Sequence, residues 1–177
     1  MEPNFIEKRR FYRLPFGESL LLTDNQNTVV GGALNISRGG VFLKTLKPLP
    51  LDSVGHVSFV IPGQETSICF KAKVAHLVFD RQRAEVDCGM GLQFIEIDVK
   101  HQQILDQHIE QEKQAYLALD KVLKARRPAV AEIEKHLQQL KFLRGSDLST
   151  LRYRVARICT IFETGLMEDL GSLGRNS

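Results

Sequence analysis

The hydrophobic period of this 177-residue chain changes near residue 99, so no single secondary-structure class can satisfy both halves. Before that point, short β-branched and aromatic runs alternate with turn residues. Leu20–Thr23 and Thr28–Val30 flank the polar turn Asp24-Asn25-Gln26-Asn27, which predicts a hairpin. Val41–Leu43 reads as a further strand, and Val57–Ile61 runs into the turn dipeptide Pro62-Gly63. Ser67–Phe70, Lys71–Phe79 and Gly91–Ile95 continue the pattern. Strands at this spacing favour a small closed barrel, which leaves no exposed edge. After residue 99 the period is helical. Leu105, Ile109, Tyr116, Leu119 and Leu123 follow steps of three, four and seven. Arg127-Pro128 interrupts, because proline disfavours helix at the preceding residue, although a slight bend there would leave one long kinked helix. Val130, Ile133, Leu137 and Leu140 form a second stripe, which Gly145 is placed to end. Ser146 or Asp147 would cap a third helix striped by Leu148, Leu151, Val155, Ile158 and Phe162. The expectation is a β-barrel domain over 1–99 and about three helices over 100–177. Those helices would pack within the chain or pair with another copy, and a homo-oligomer through them is the favoured reading.

Composition removes several function classes. A net charge of +3 is too small for general nucleic-acid binding, and only Phe11 and Tyr12 are adjacent aromatics, which argues against an RNA-binding barrel. Cys69, Cys88 and Cys159 are widely separated and lack metal spacing, so they read as reduced thiols. His108 and Glu112 stand one helical turn apart, but two groups do not make a zinc site, and no metal is expected. No phosphate-binding loop, nucleophile elbow or zincin motif is present, so no enzyme is expected. Met1-Glu2-Pro3-Asn4 lacks the features of a signal peptide and no apolar run approaches a membrane span, which together predict a cytoplasmic protein.

Chemistry concentrates in two short stretches. Lys8, Arg9, Arg10 and Arg13 pack cationic groups where the β-rich half begins, and Asn35-Ile36-Ser37-Arg38-Gly39-Gly40 is a polar, glycine-rich turn between two apolar runs. Guanidinium groups make bidentate contacts to phosphate oxygens and to the O6/N7 edge of guanine, and their flat faces stack on rings. Asn, Ser and freed backbone N–H groups can take the remaining polar atoms. The sequence therefore suits a ligand that is both a dianion and a purine.

At these residues the chain resembles the PilZ domain family of bacterial cyclic di-GMP receptors, marked by RxxxR and, downstream, [D/N]xSxxG. The motifs stand here as Arg9-x-x-x-Arg13 and Asn35-x-Ser37-x-x-Gly40, and Lys73-Val74-Ala75-His76 and Gly89-Met90-Gly91-Leu92-Gln93-Phe94 look like later strands of the same fold. The resemblance implies a six-stranded antiparallel barrel and cyclic di-GMP as the ligand, with no cofactor. It implies that Arg9 and Arg13, on a mobile N-terminal arm, grip guanine edges and phosphates. Arg10 takes a phosphate or faces water, and Lys8 is a weaker candidate. Asn35 would accept from guanine, Ser37 would offer its hydroxyl, and Arg38 would add a phosphate contact. Gly40 would let backbone approach the base, and Gly39 would supply a positive φ. Gly89 and Gly91 would serve barrel curvature. Ligand binding would order the arm and change the helices or the surface offered to a protein effector, with motility, exopolysaccharide or biofilm among the family's outputs. The alternative is a ligand-insensitive scaffold of the same fold, which the intact motif pair counts against.

Overall fold

The computed structural model describes residues 11–79 and 88–164. Its strands are β1 (Leu14–Pro15), β2 (Ser19–Thr23), β3 (Thr28–Ser37), β4 (Gly40–Lys44), β5 (Val54–Val60), β6 (Ser67–Val78) and β7 (Gly89–Glu96). The antiparallel sheet runs β3-β2-β5-β6-β7-β4, and β4 pairs back onto β3 to close a six-stranded barrel, with the two-residue β1 added beside β3. Helices α1 (Val99–Lys124), α2 (Val130–Gln139) and α3 (Leu148–Thr164) follow. The predicted barrel-plus-three-helix fold is what the chain adopts. Among the described residues, no helix is long and apolar enough to cross a membrane.

Two compact units divide the chain. One is Pro15–Ile109, and the other joins residues 11–14 to 110–164. In the first, inward side chains of alternate strand positions build the core. Phe59, Phe70 and Phe94 form its aromatic centre, with the Phe70 and Phe94 rings stacked at 4.5 Å. The first turns of α1 belong to this unit. Asp98 caps them by accepting from the Lys100 and His101 N–H groups, His101 lies edge-on to Phe70, and His108 lies edge-on to Phe16. The β2–β3 turn is set by Asp24, whose carboxylate accepts from the Gln26 and Asn27 N–H groups at 2.8 and 2.6 Å.

In the second unit the predicted stripes are buried: Tyr116, Leu119 and Leu123 of α1, Ile133 of α2, and Leu151, Val155 and Ile158 of α3. The expected interruption at Arg127-Pro128 is a full break between Lys124 and Val130, so α1 and α2 are separate helices. Two details differ from the sequence reading. Val130 and Leu148 sit on exposed first turns, outside the core. α2 ends at Gln139, and a 3-10 turn (Lys141–Leu143) precedes Gly145, whose φ of 76° then reverses the chain. Asp147 is the cap of α3, accepting from the Ser149 and Thr150 N–H groups.

The same unit buries a carboxyl. Desolvation pushes Glu112 from 4.5 up to about 7, opposed by the charge of Lys141, and it also raises the Tyr116 phenol, whose hydroxyl makes no hydrogen bond among the described residues. A carboxyl with a raised folded-state pKa contributes stability below its unfolded value of 4.5 and loses it as pH rises through 7. Glu112→Gln is therefore expected to raise unfolding free energy above about pH 7 by roughly 1 to 3 kcal/mol and to leave it unchanged near pH 4. Urea denaturation at both pH values checks this, and equal gains at both would refute the linkage. His108, one turn earlier, is lowered to about 4 by burial alone. Both groups are driven toward their neutral forms, which is the behaviour of core residues, and among the described residues no group of three metal-ligating side chains occurs.

Candidate ligand site

The sequence reading placed Asn35–Gly40 in a turn. In the structure Asn35, Ile36 and Ser37 complete β3, and only Arg38 and Gly39 form the loop to β4. A bulge at Leu34, between paired Ala33 and Asn35, inserts one extra residue into the strand. It lets Ala33 and Ile36, three positions apart, both face the core. Asn35 and Ser37, on the opposite face from Ile36, are thereby turned to the outside of the barrel. They are nevertheless only 9% and 5% exposed.

Strand register extends each of these residues into a row across the barrel's outer face. Asn35 pairs with Phe42, Phe42 with Gly91, and Gly91 with His76. Ser37 pairs with Gly40, Gly40 with Gln93, and Gln93 with Lys73. Glycine interrupts both rows, at Gly91 and at Gly40, and a neighbour fills the space above each. The His76 ring covers Gly91, the Phe42 ring lies over Gly89, and the two rings are 6.0 Å apart. At Gly40 the close backbone approach is to the Leu92 carbonyl of β7.

The polar groups divide into committed and uncommitted. Ser37 donates from Oγ to the Gly40 carbonyl at 3.2 Å and accepts from the Gly39 N–H at 3.3 Å. This hydroxyl-centred turn replaces the positive φ expected at Gly39; among the described glycines only Gly63 and Gly145 have one. The Gly39 carbonyl accepts from the Phe94 N–H at 3.0 Å. Arg38 is paired through Nε with Asp106 of α1 at 3.3 Å, and Gln102 donates to the same carboxylate oxygen at 2.6 Å. Asn35 Oδ1 is buried and has no hydrogen-bond partner among the described residues. A buried acceptor without a partner is costly, by about 1–3 kcal/mol.

Asn35, Ser37, Arg38, Gly39 and Gly40 are therefore brought together in one hairpin. Arg13 lies just before β1, half-buried, in the unit that holds the helices. Lys8, Arg9 and Arg10 fall outside the described residues. Sequence reasoning missed Phe42, His76 and Asp106. The first two could be found only from strand register: the hairpin turn at 38–39 fixes Phe42 opposite Asn35, whereas His76 depends on the β6–β7 pairing, which shifts register beside it. Asp106 carries no local signal.

Residues 7–111, more than half of the chain, match the PilZ domain. Among solved structures, the inhibitor of motility MotI/DgrA from Bacillus subtilis aligns with a TM-score of 0.53 at 21% identity, over 64% of this chain and 56% of that one. YcgR from Escherichia coli, solved in complex with c-di-GMP, aligns with a TM-score of 0.51 at 18% identity, over 64% and 50%. The chain thus spans about half the length of these two proteins, and at such identities the likeness is one of fold. No curated protein matches by sequence. With the closed barrel, the hairpin geometry and the match over its first hundred residues in agreement, the chain belongs to the PilZ domain family.

Proposed function

We propose that the protein is a non-catalytic cytoplasmic receptor for cyclic di-GMP, bound on the outer face of the barrel beside the β3–β4 hairpin. The observation that carries this reading is the buried, unpartnered Asn35 Oδ1, set in one cross-strand row with the Phe42 and His76 rings. A guanine N1–H or N2–H₂ group is the donor such an acceptor needs, and the neighbouring Phe42 and His76 rings offer a purine faces to stack on. Ser37 retains acceptor capacity beyond its turn bonds. Arg9, Arg10 and Arg13 supply the charge for two phosphates, with Lys8 in support. Membership of the PilZ family and the c-di-GMP complex of YcgR support the choice of ligand. Calorimetric titration of the whole chain with cyclic di-GMP, with GTP as control, tests the reading; saturable binding of the first alone is expected, and no heat with either would overturn it.

Arg38 is held to Asp106 through Nε, so a ligand phosphate would compete with that carboxylate for one guanidinium. The pair is half-exposed, at 44% and 37% for the two side chains, so its loss is worth little. Asp106→Ala is accordingly expected to tighten cyclic di-GMP binding by up to about fivefold. Weaker binding in the same titration would show instead that Asp106 orients Arg38 for the ligand.

The signal passes to a protein partner through the helical unit, with motility or biofilm control as the output. Exposed Val130, Phe142, Leu148 and Tyr153 of that unit are available for a partner or for self-association. Gel filtration with and without ligand separates a ligand-responsive assembly from a fixed one.

A further inference from the structure

We propose that Tyr12, inside the arginine motif, is a positioning residue that docks the motif on the helical unit and makes α3 responsive to the ligand; this rests on the receptor reading above. Tyr12 directly precedes Arg13 in Arg9-x-x-x-Arg13. Its ring meets Phe162 of α3 edge to face, with centroids 5.1 Å apart and planes at 67°. Lys113 of α1 places its ammonium 5.5 Å from the Tyr12 ring centre and 6.0 Å from that of Phe162. Tyr116, one turn along α1 from Lys113, backs Phe162 at 6.3 Å. These four side chains form an aromatic and cationic cluster that grips the residue beside a ligand-binding arginine.

The chain leaving this cluster runs directly to the ligand strand. Four residues after Tyr12, the Phe16 N–H donates to the Leu34 carbonyl at 3.1 Å, adjoining Asn35. Along the chain, Arg13 is therefore flanked by the Tyr12 ring contact on one side and by the Phe16 hydrogen bond on the other. Anchoring lowers the entropy lost when Arg13 engages a phosphate, so a docked Tyr12 raises ligand affinity. Binding linkage is reciprocal: if docking favours the ligand, the ligand favours docking to the same degree. The contact with Phe162 then tightens on binding, and α3 reports it.

The test is hydrogen–deuterium exchange of the full chain with and without cyclic di-GMP, read at peptides covering 155–164, together with calorimetric affinities. In the wild type, ligand is expected to slow exchange in α3. In Tyr12→Ala that slowing is lost and affinity falls about two- to tenfold, the range set by one edge-to-face aromatic contact. Tyr12→Phe, which keeps the ring, restores both. Phe162→Leu, which keeps an apolar side chain in α3, reproduces the weakened binding from the other end of the sequence. A wild type that binds ligand while α3 exchange stays unchanged, or a Tyr12→Ala variant with unaltered affinity, would overturn the proposal. A wild type that binds no cyclic di-GMP would instead remove the receptor reading itself, and the titration alone reveals that case.

Discussion

Arg13→Ala is expected to weaken cyclic di-GMP binding by tens to hundreds-fold, a loss of about 2 to 4 kcal/mol. The size follows from what one guanidinium does for a dianionic ligand. It supplies two parallel charge-assisted hydrogen bonds to a phosphate or to a guanine edge, and its loss leaves a desolvated acceptor without a partner. Arg13→Lys separates charge from geometry, since lysine keeps the positive charge and lacks the planar fork. That variant should fall between the wild type and alanine. The N-terminal arginine of the motif, Arg9, is proposed to act alike, so Arg9→Ala should show a loss of similar size. Calorimetric titration provides the measurement, and unchanged thermal midpoints would establish that the effect lies in binding. Wild-type affinity in both alanine variants would remove the guanidinium clamp from the site. A much larger loss at Arg13 than at Arg9 would locate the dominant contact at the residue next to the Tyr12 anchor.

The barrel was legible because short β-branched and aromatic runs are separated by unmistakable turns such as Asp24–Asn27 and Pro62-Gly63. The errors fell where register or long-range contact decides the outcome. Leu34 is an ordinary strand residue, without the glycine that often marks a bulge, so nothing local announced that the alternation slips there. Because it slips, Asn35 belongs to a strand and faces outward, whereas a turn was expected. Lys71 and Lys73 occupy outward positions of one continuous twelve-residue strand, β6, which the sequence divided in two. The α1 stripe was read in full because helical burial repeats over many turns, but Val130 and Leu148 sit on first turns, where a stripe runs past the core. The two motifs were visible as residues. What supports them was not: the Arg38–Asp106 pair and the Tyr12–Phe162 contact join positions far apart in sequence.

Gly40→Ala is expected to destabilise the protein by about 2 to 4 kcal/mol, more than typical overpacking of a core side chain. Gly40 is buried, and a methyl group there would collide with the Leu92 carbonyl oxygen. Backbone cannot swing aside as a side-chain tip can. β4 is the closing strand of the barrel, hydrogen-bonded to β3 at Ser37 and to β7 at Gln93, so relief on one side opens a ladder on the other. Gly32→Ala is the matched control: it is also a β3–β4 pair position, yet nothing lies within 4 Å of the added methyl. That variant should be neutral or slightly stabilising, because alanine restricts the unfolded chain. Urea unfolding distinguishes the two through midpoint shifts at constant slope. The comparison also decides what the last glycine of the Asn-x-Ser-x-x-Gly motif is for. If Gly40→Ala loses stability and ligand affinity together, its first task is to close the barrel beneath the ligand. A variant of wild-type stability that fails to bind would move Gly40 from the barrel seam to the ligand surface.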